Sequence, residues 1–171
     1  MKEKFVKAYM KTAKIFADLS TAEKLKVGAI VVKDNRIVSI GYNGTPAGWD
    51  NTCENKEWMG NVGGWLAPEE MREGWPYEGT YTDSSGNVMS GRYRLKTKPE
   101  VIHAERNALD KLARDNEGGN GAYMFITHAP CLECAKSIFG AGIKEVFYSE
   151  EYRSVDGIEF LKKCNINTTK V

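Results

Sequence analysis

His103-Ala104-Glu105 and Pro130-Cys131-Leu132-Glu133-Cys134 are the residues of this chain whose types and spacing could do chemistry. Cys-x-x-Cys spacing lets two thiolates from one helical turn reach one metal ion, and an imidazole adds a third donor. Three protein ligands with an open position is the pattern of a catalytic zinc, whereas a structural zinc is normally closed by a fourth. Candidates for a fourth are few: His128 stands three residues before Cys131, and Cys53 and Cys164 are remote. Glu105, two residues after His103, would sit beside the metal without being its preferred ligand. A carboxylate there can take a proton from metal-bound water and return it elsewhere on a substrate. A redox dithiol or half of a closed zinc site would also use Cys-x-x-Cys, but neither explains His-Ala-Glu.

Both motifs fall where helices are expected to begin. A helix start presents free N–H groups and partial positive charge, which favours thiolate over thiol. Pro130 suits that position because its missing N–H costs nothing there. Residues 102–114 read as the first of these helices, with Ala104, Ala108, Leu109 and Leu112 on its apolar side, and 131–139 as the second. Glycines 118, 119 and 121 separate the first helix from a strand at 122–127, and a further strand follows at 145–149. Residues 155–163 suggest a last helix and 166–170 a short edge strand. Upstream, residues 3–19 carry Val6, Met10, Ala13 and Ala17 at helical spacing. Residues 26–33 form a β-branched run, and Asp34-Asn35 turns it into a second strand at 36–42. The alternation predicts an α/β layered domain with ligands beyond the strand ends.

Composition narrows the class. The chain has 171 residues, 42% hydrophobic and 27% charged, with a net charge of +1. That is the composition of an ordinary globular domain. Charge so close to zero gives no broad footprint for nucleic acid, while leaving room for a local basic pocket. No apolar run is long enough to span a bilayer. The opening Met1-Lys2-Glu3-Lys4 leads into an amphipathic pattern rather than a signal sequence. A cytoplasmic protein (host cytoplasm if viral) with its four cysteines reduced is therefore expected. Residues 49–100 hold all four tryptophans (Trp49, Trp58, Trp65 and Trp75), many glycines and no sustained periodicity. They read as an ordered, irregular insertion in a single domain spanning 1–171, packed on that domain or on a neighbouring subunit.

The chain resembles the deoxycytidylate (dCMP) deaminases of the cytidine deaminase superfamily, in a phage-like style. The matching residues are Val27-Gly28-Ala29-Ile30-Val31-Val32, Gly41-Tyr42-Asn43-Gly44-Thr45-Pro46-Ala47-Gly48 and His103-Ala104-Glu105-Arg106-Asn107-Ala108. They continue with Pro130-Cys131-Leu132-Glu133-Cys134-Ala135-Lys136, Gly142-Ile143-Lys144-Glu145-Val146 and Glu151-Tyr152-Arg153. Only residues 49–100 fall outside the resemblance. The zinc motif is common to the superfamily; the Gly-Tyr-Asn-Gly loop narrows it to the dCMP branch.

The resemblance implies a three-layer cytidine-deaminase-like fold, with a mixed sheet of about five strands flanked by helices. It implies hydrolysis of dCMP to dUMP and ammonia by a zinc-bound hydroxide, supplying dUMP for thymidylate synthesis. Glu105 would protonate N3 and then the departing amino group, and the Ala104 N–H would contact the base carbonyl. Asn43 would hydrogen-bond the deoxyribose hydroxyl, although Tyr-Asn-Gly is by itself also a good turn. Tyr152 would line the nucleotide pocket, a role its residue type leaves open against a place in the core. A monophosphate needs cationic donors; Lys24, Lys26 and Arg153 are the candidates, Lys24 standing where many members carry arginine. The resemblance further implies a homohexamer activated by dCTP with Mg2+ and inhibited by dTTP, with Gly44, Arg106 and Arg114 near the regulatory nucleotide. Some phage members hold a second, structural zinc in the inserted region. No cysteine or histidine stands at ligand spacing from Cys53, so one zinc per subunit is expected.

Other readings stay open on the sequence. One is a deaminase of cytidine, guanine or tRNA adenosine; the near-zero charge disfavours the last. Another is a zinc-stabilised nucleotide-binding protein without catalysis, for which Glu105 has no use.

Overall fold

Residues 29–32 alternate between two different cores, and that alternation sets the architecture. In the computed structural model, which describes residues 1–59 and 73–171, Ala29 and Val31 point into one apolar cluster while Ile30 and Val32 point into another. The chain runs α1 (Glu3–Ala17), β1 (Gly28–Lys33), β2 (Arg36–Tyr42), β3 (Glu54–Trp58), β4 (Tyr77–Thr82) and β5 (Val88–Thr97). It continues with α2 (Ala104–Arg114), β6 (Tyr123–His128), α3 (Leu132–Gly140), β7 (Glu145–Glu150), α4 (Asp156–Lys163) and β8 (Asn167–Lys170). These elements form two compact units, Met1–Thr52 with Glu100–Val171, and Cys53–Pro99.

The first unit is built on a five-stranded mixed sheet of order β2-β1-β6-β7-β8. β1 pairs antiparallel with β2 and with β6, while β6, β7 and β8 run parallel. The β1–β2 turn is made by Asp34 and Asn35, both with positive φ (49° and 58°). This is the left-handed pair a two-residue hairpin needs, and the sequence supplies residues that tolerate it. α1 covers one face of the sheet with Val6, Met10 and Ala13 against Ile30, Val32, Phe125 and Phe147. α2, α3 and α4 cover the other through Ala108, Leu109, Leu112, Ile138 and Leu161, against Val31, Met124, Ile126 and Val146. The expected three-layer arrangement with five central strands is the one observed. Because β1 is antiparallel to β6, the start of β1, the end of β2 and the end of β6 share one rim of the sheet.

The second unit corrects the expectation of an irregular insertion. β3, β5 and β4 form a three-stranded antiparallel sheet in that order. Its register places Trp58, Tyr77, Tyr81 and Tyr93 on one face, with ring centroids 4.6 to 5.3 Å apart. Gly79 and Gly91 lie opposite each other, and Trp58 occupies the space their missing side chains leave. The strands escape a hydrophobic reading because their apolar face is aromatic and interrupted by glycine. Trp75 is buried under the Arg94 guanidinium, 4.6 Å from its ring. Trp65 lies outside the described residues.

Candidate active site

His103 and Cys131 occupy the N-cap positions of α2 and α3, both with extended backbone and neither making a side-chain cap hydrogen bond. Their carbonyls start the helices by accepting from the Asn107 and Ala135 N–H groups at 2.9 Å. Serine, threonine or aspartate would ordinarily fill such a position and satisfy the first free N–H groups. Here the cap side chains turn to each other instead. His103 Nδ1 lies 3.6 Å from Cys131 Sγ and 3.3 Å from Cys134 Sγ, and one ligand atom from each residue lies within 4.8 Å of the others. Two sulfurs and an imidazole converging at two helix starts make a soft donor set that fits zinc. Among the described residues, no other group of this kind is present. His128, the fourth-ligand candidate, is instead 3.1 Å from Thr127 Oγ1 through its Nδ1.

Electrostatics agree with that geometry. Hydrogen bonds from Cys134 and His103 pull the Cys131 thiol down to about 3, so it is a thiolate. The contact with Cys131 pushes Cys134 strongly upward and also raises His103. Glu105, in the first turn of α2, is 4% exposed. Burial pushes its carboxyl up to about 7, and it hydrogen-bonds the Cys134 side chain. A carboxyl poised there can both accept and donate a proton near neutral pH.

Close backbone approaches hold these parts together. A Cβ on Gly41 would stand 2.2 Å from the Ala104 carbonyl oxygen, so only glycine lets β2 lie this near α2. A Cβ on Gly157 would stand 2.0 Å from the Pro130 carbonyl oxygen, bringing α4 equally near the Cys131 segment. Ser39 Oγ donates to Ala108 O (2.7 Å), Asn107 Nδ2 to Tyr42 O (2.9 Å) and Lys111 Nζ to Ile40 O (3.0 Å). These five residues were not singled out from sequence as working parts. Gly41 stood where the second strand runs into a glycine-rich loop, and a close approach leaves no local signal.

The Gly41 to Gly48 segment reaches the metal ligands by a two-bond bridge: Gly44 N–H donates to Ile102 O (3.1 Å) and Ile102 N–H to Gly44 O (2.9 Å). Asn43 Oδ1 accepts from the Val27 N–H at 2.7 Å, and Nδ2 donates to Leu25 O at 2.8 Å. The side chain thus pins the segment that carries the exposed Lys24 and Lys26. Ala104 is fully buried at the first position of α2. Tyr152 is half-buried against Ala129, Tyr148 and Ile158. The Arg153 guanidinium lies 5.4 Å from the Tyr152 ring, and its charge reaches His103. Arg106 is engaged with Asp110 at 2.8 Å and points an Nη1 toward Ser137 (3.5 Å), while Arg114 is exposed at the far end of α2.

Residues 3–150 match the family model described as the cytidine and deoxycytidylate deaminase zinc-binding region. The chain belongs to the cytidine and deoxycytidylate deaminase family. This deaminase is 36% identical to the deoxycytidylate deaminase of Enterobacteria phage T2 over 135 residues, 74% of this chain and 70% of that one. It is 34% identical to the deoxycytidylate deaminase of Mycobacterium phage D29 over 79% of this chain and 86% of that one. It also matches the dCMP deaminase of cyanophage S-TIM5, crystallised in complex with dCMP and dUMP. That match has 37% identity, a TM-score of 0.75 and coverage of 100% of this chain and 99% of that one. The deaminase is therefore a hydrolase of the zinc type.

Proposed function

We propose that this deaminase converts dCMP and water to dUMP and ammonia. The observation that carries the reading is Glu105: a buried carboxyl held near 7 beside a His103, Cys131 and Cys134 donor set. Likeness over full length to an enzyme crystallised with dCMP and dUMP supports the choice of substrate. His103, Cys131 and Cys134 would hold zinc, which when bound would supply a Lewis acid for activating water near neutral pH. Glu105 takes a proton from the attacking water and gives it to N3, then takes the proton of the new C4 hydroxyl and gives it to the departing amino group, leaving the C4 carbonyl of dUMP and free ammonia. The Ala104 N–H, at a helix start with no intrahelical acceptor, donates to the base carbonyl. Asn43, with one amide N–H beyond the one it donates to Leu25 O, meets the deoxyribose hydroxyl. Tyr152 lines the pocket, and Lys24, Lys26 and Arg153 supply cations for the 5′-phosphate.

The same reading takes residues 1–171 as one deaminase domain carrying 49–100 as an insertion, in the cytoplasm, where its metal-binding thiols stay reduced. The dUMP formed would supply thymidylate synthesis. A homohexamer activated by dCTP with Mg2+ and inhibited by dTTP, with Gly44, Arg106 and Arg114 at the regulatory site, rests on the family resemblance. An ammonia-release assay across dCMP, CMP, deoxycytidine and dCTP, with and without dCTP·Mg2+ or dTTP as effectors, tests the substrate and the regulation. dCMP is expected to be fastest. Equal rates on deoxycytidine would remove the phosphate argument, and unchanged rates with both effectors would remove the regulation.

A further inference from the structure

Ser20 is a buried hydroxyl with no part in the chemistry above. It follows α1, and its N–H donates to Ala17 O at 3.0 Å. The residue is 2% exposed. Its Oγ donates to the Asn43 carbonyl oxygen at 2.7 Å and accepts from the Ala22 N–H at 3.2 Å. Asn43 in turn ties Leu25 and Val27 with its side chain, and its own N–H donates to Val27 O at 3.1 Å. Lys24 therefore lies between Ala22 and Leu25, and Lys26 between Leu25 and Val27, and each flanking residue gives a backbone group to this lattice. On the other side, Asn43 is followed by Gly44, which bridges Ile102, the residue before His103. The Ser20 hydroxyl adds to Asn43's own bonds a tie between the start of the segment bearing two cations and the segment leading to a metal ligand.

We propose that Ser20 is a positioning residue for the substrate's 5′-phosphate, fixing the Lys24 and Lys26 segment relative to the metal ligands through Asn43. The inference rests on reading those lysines as phosphate donors. Donors held in place before binding do not have to be ordered by the ligand, so their contacts appear more fully in affinity. Ser20 hydrogen-bonds Asn43, Ala22 and Ala17 and not the metal ligands or Glu105, so its loss should weaken phosphate binding and spare proton transfer.

The test compares dUMP and deoxyuridine, which differ only in the 5′-phosphate, as competitive inhibitors of dCMP turnover by the zinc-loaded enzyme. Ser20→Ala should raise KM for dCMP and Ki for dUMP about five- to tenfold, the scale of one lost buried hydrogen bond. It should leave kcat within about twofold and raise the Ki of deoxyuridine, which keeps the Asn43 contact to the sugar, clearly less than that of dUMP. Equal rises for both inhibitors, or no rise for either, would overturn the positioning role. Ser20→Cys, similar in volume but weak as donor and acceptor, serves if the alanine variant does not fold; loss of fold in both overturns the proposal in favour of a purely structural role. Lys24→Ala with Lys26→Ala separates the two readings. If that pair discriminates dUMP from deoxyuridine and Ser20→Ala does not, only the Ser20 inference falls. If the lysine pair does not discriminate, the phosphate assignment falls and the Ser20 role with it.

Discussion

The two sheets of this deaminase reach the same ladder of hydrogen bonds by different physics. In the five-stranded sheet, Ile30, Val31, Val32, Met124, Phe125 and Ile126 are completely buried, with helices on both faces. In the three-stranded sheet, one face carries tyrosine and tryptophan rings, and Arg92 pairs with Glu78 and Arg94 with Glu57 on the other. Burying one large apolar side chain contributes roughly 1.5–3 kcal/mol, whereas an exposed ion pair contributes about 0–1. Every residue assigned to metal, proton transfer or substrate lies in the unit of the first kind. The comparison teaches where rigid chemistry can be placed. Titratable groups at the rim of a sheet buried on both faces inherit its stiffness, and their burial is what shifts Glu105 upward.

The sharpest way to separate stiffness from chemistry is Glu105→Gln. Turnover should fall roughly 10²–10⁴-fold, the usual worth of a positioned proton carrier. Zinc content and melting temperature should be retained; near-normal turnover would remove the proton-transfer role. Phe125→Ala attacks the stiffness itself. Phe125 stacks on Phe147 at 4.7 Å and meets Tyr9 at 5.3 Å, so about 3–5 kcal/mol should be lost in denaturant unfolding. Gly157→Ala tests the close approach at the cysteine segment, and about 1–3 kcal/mol should be lost to overpacking. Zinc should leave this variant faster under chelator, while an unchanged loss rate would mean that α4 does not brace the site. Trp58→Ala removes two ring pairs at about 1 kcal/mol each and should cost less than Phe125→Ala, seen as faster hydrogen exchange at β4 and β5 amides. A drop in stability as large as that of Phe125→Ala would erase the distinction between the two sheets.

The same physics decides what could be read from sequence. Residues 26–33 and 122–127 read as strands because both faces are buried and the runs are rich in β-branched and other apolar residues. The helices read from single apolar faces, and the metal trio read from spacing because ligand geometry requires it. β3, β4 and β5 were not legible. Their stabilising pairs are cross-strand rings, such as Trp58 over Gly79 and Gly91, that no local window contains. Asn43 read as a sugar contact or a turn, but not as the clamp on Leu25 and Val27 that it forms. Gly41 and Gly157 act by what they lack, against backbone far away in sequence.

The bridge between Gly44 and Ile102 has a consequence for how such an enzyme can change over time. Gly44 and Ile102 pair on either side of the excursion through Cys53–Pro99, and the chain is drawn together again where Lys98 N–H donates to Cys53 O at 2.9 Å. These closures act like a drawstring on everything between them. The cost of closing a flexible loop rises by only about 0.6 kcal/mol for each doubling of its length. Lineages can therefore lengthen, shorten or replace the excursion, and trial new modules there, without re-tuning the distance between the Gly-Tyr-Asn-Gly segment and the first metal ligand.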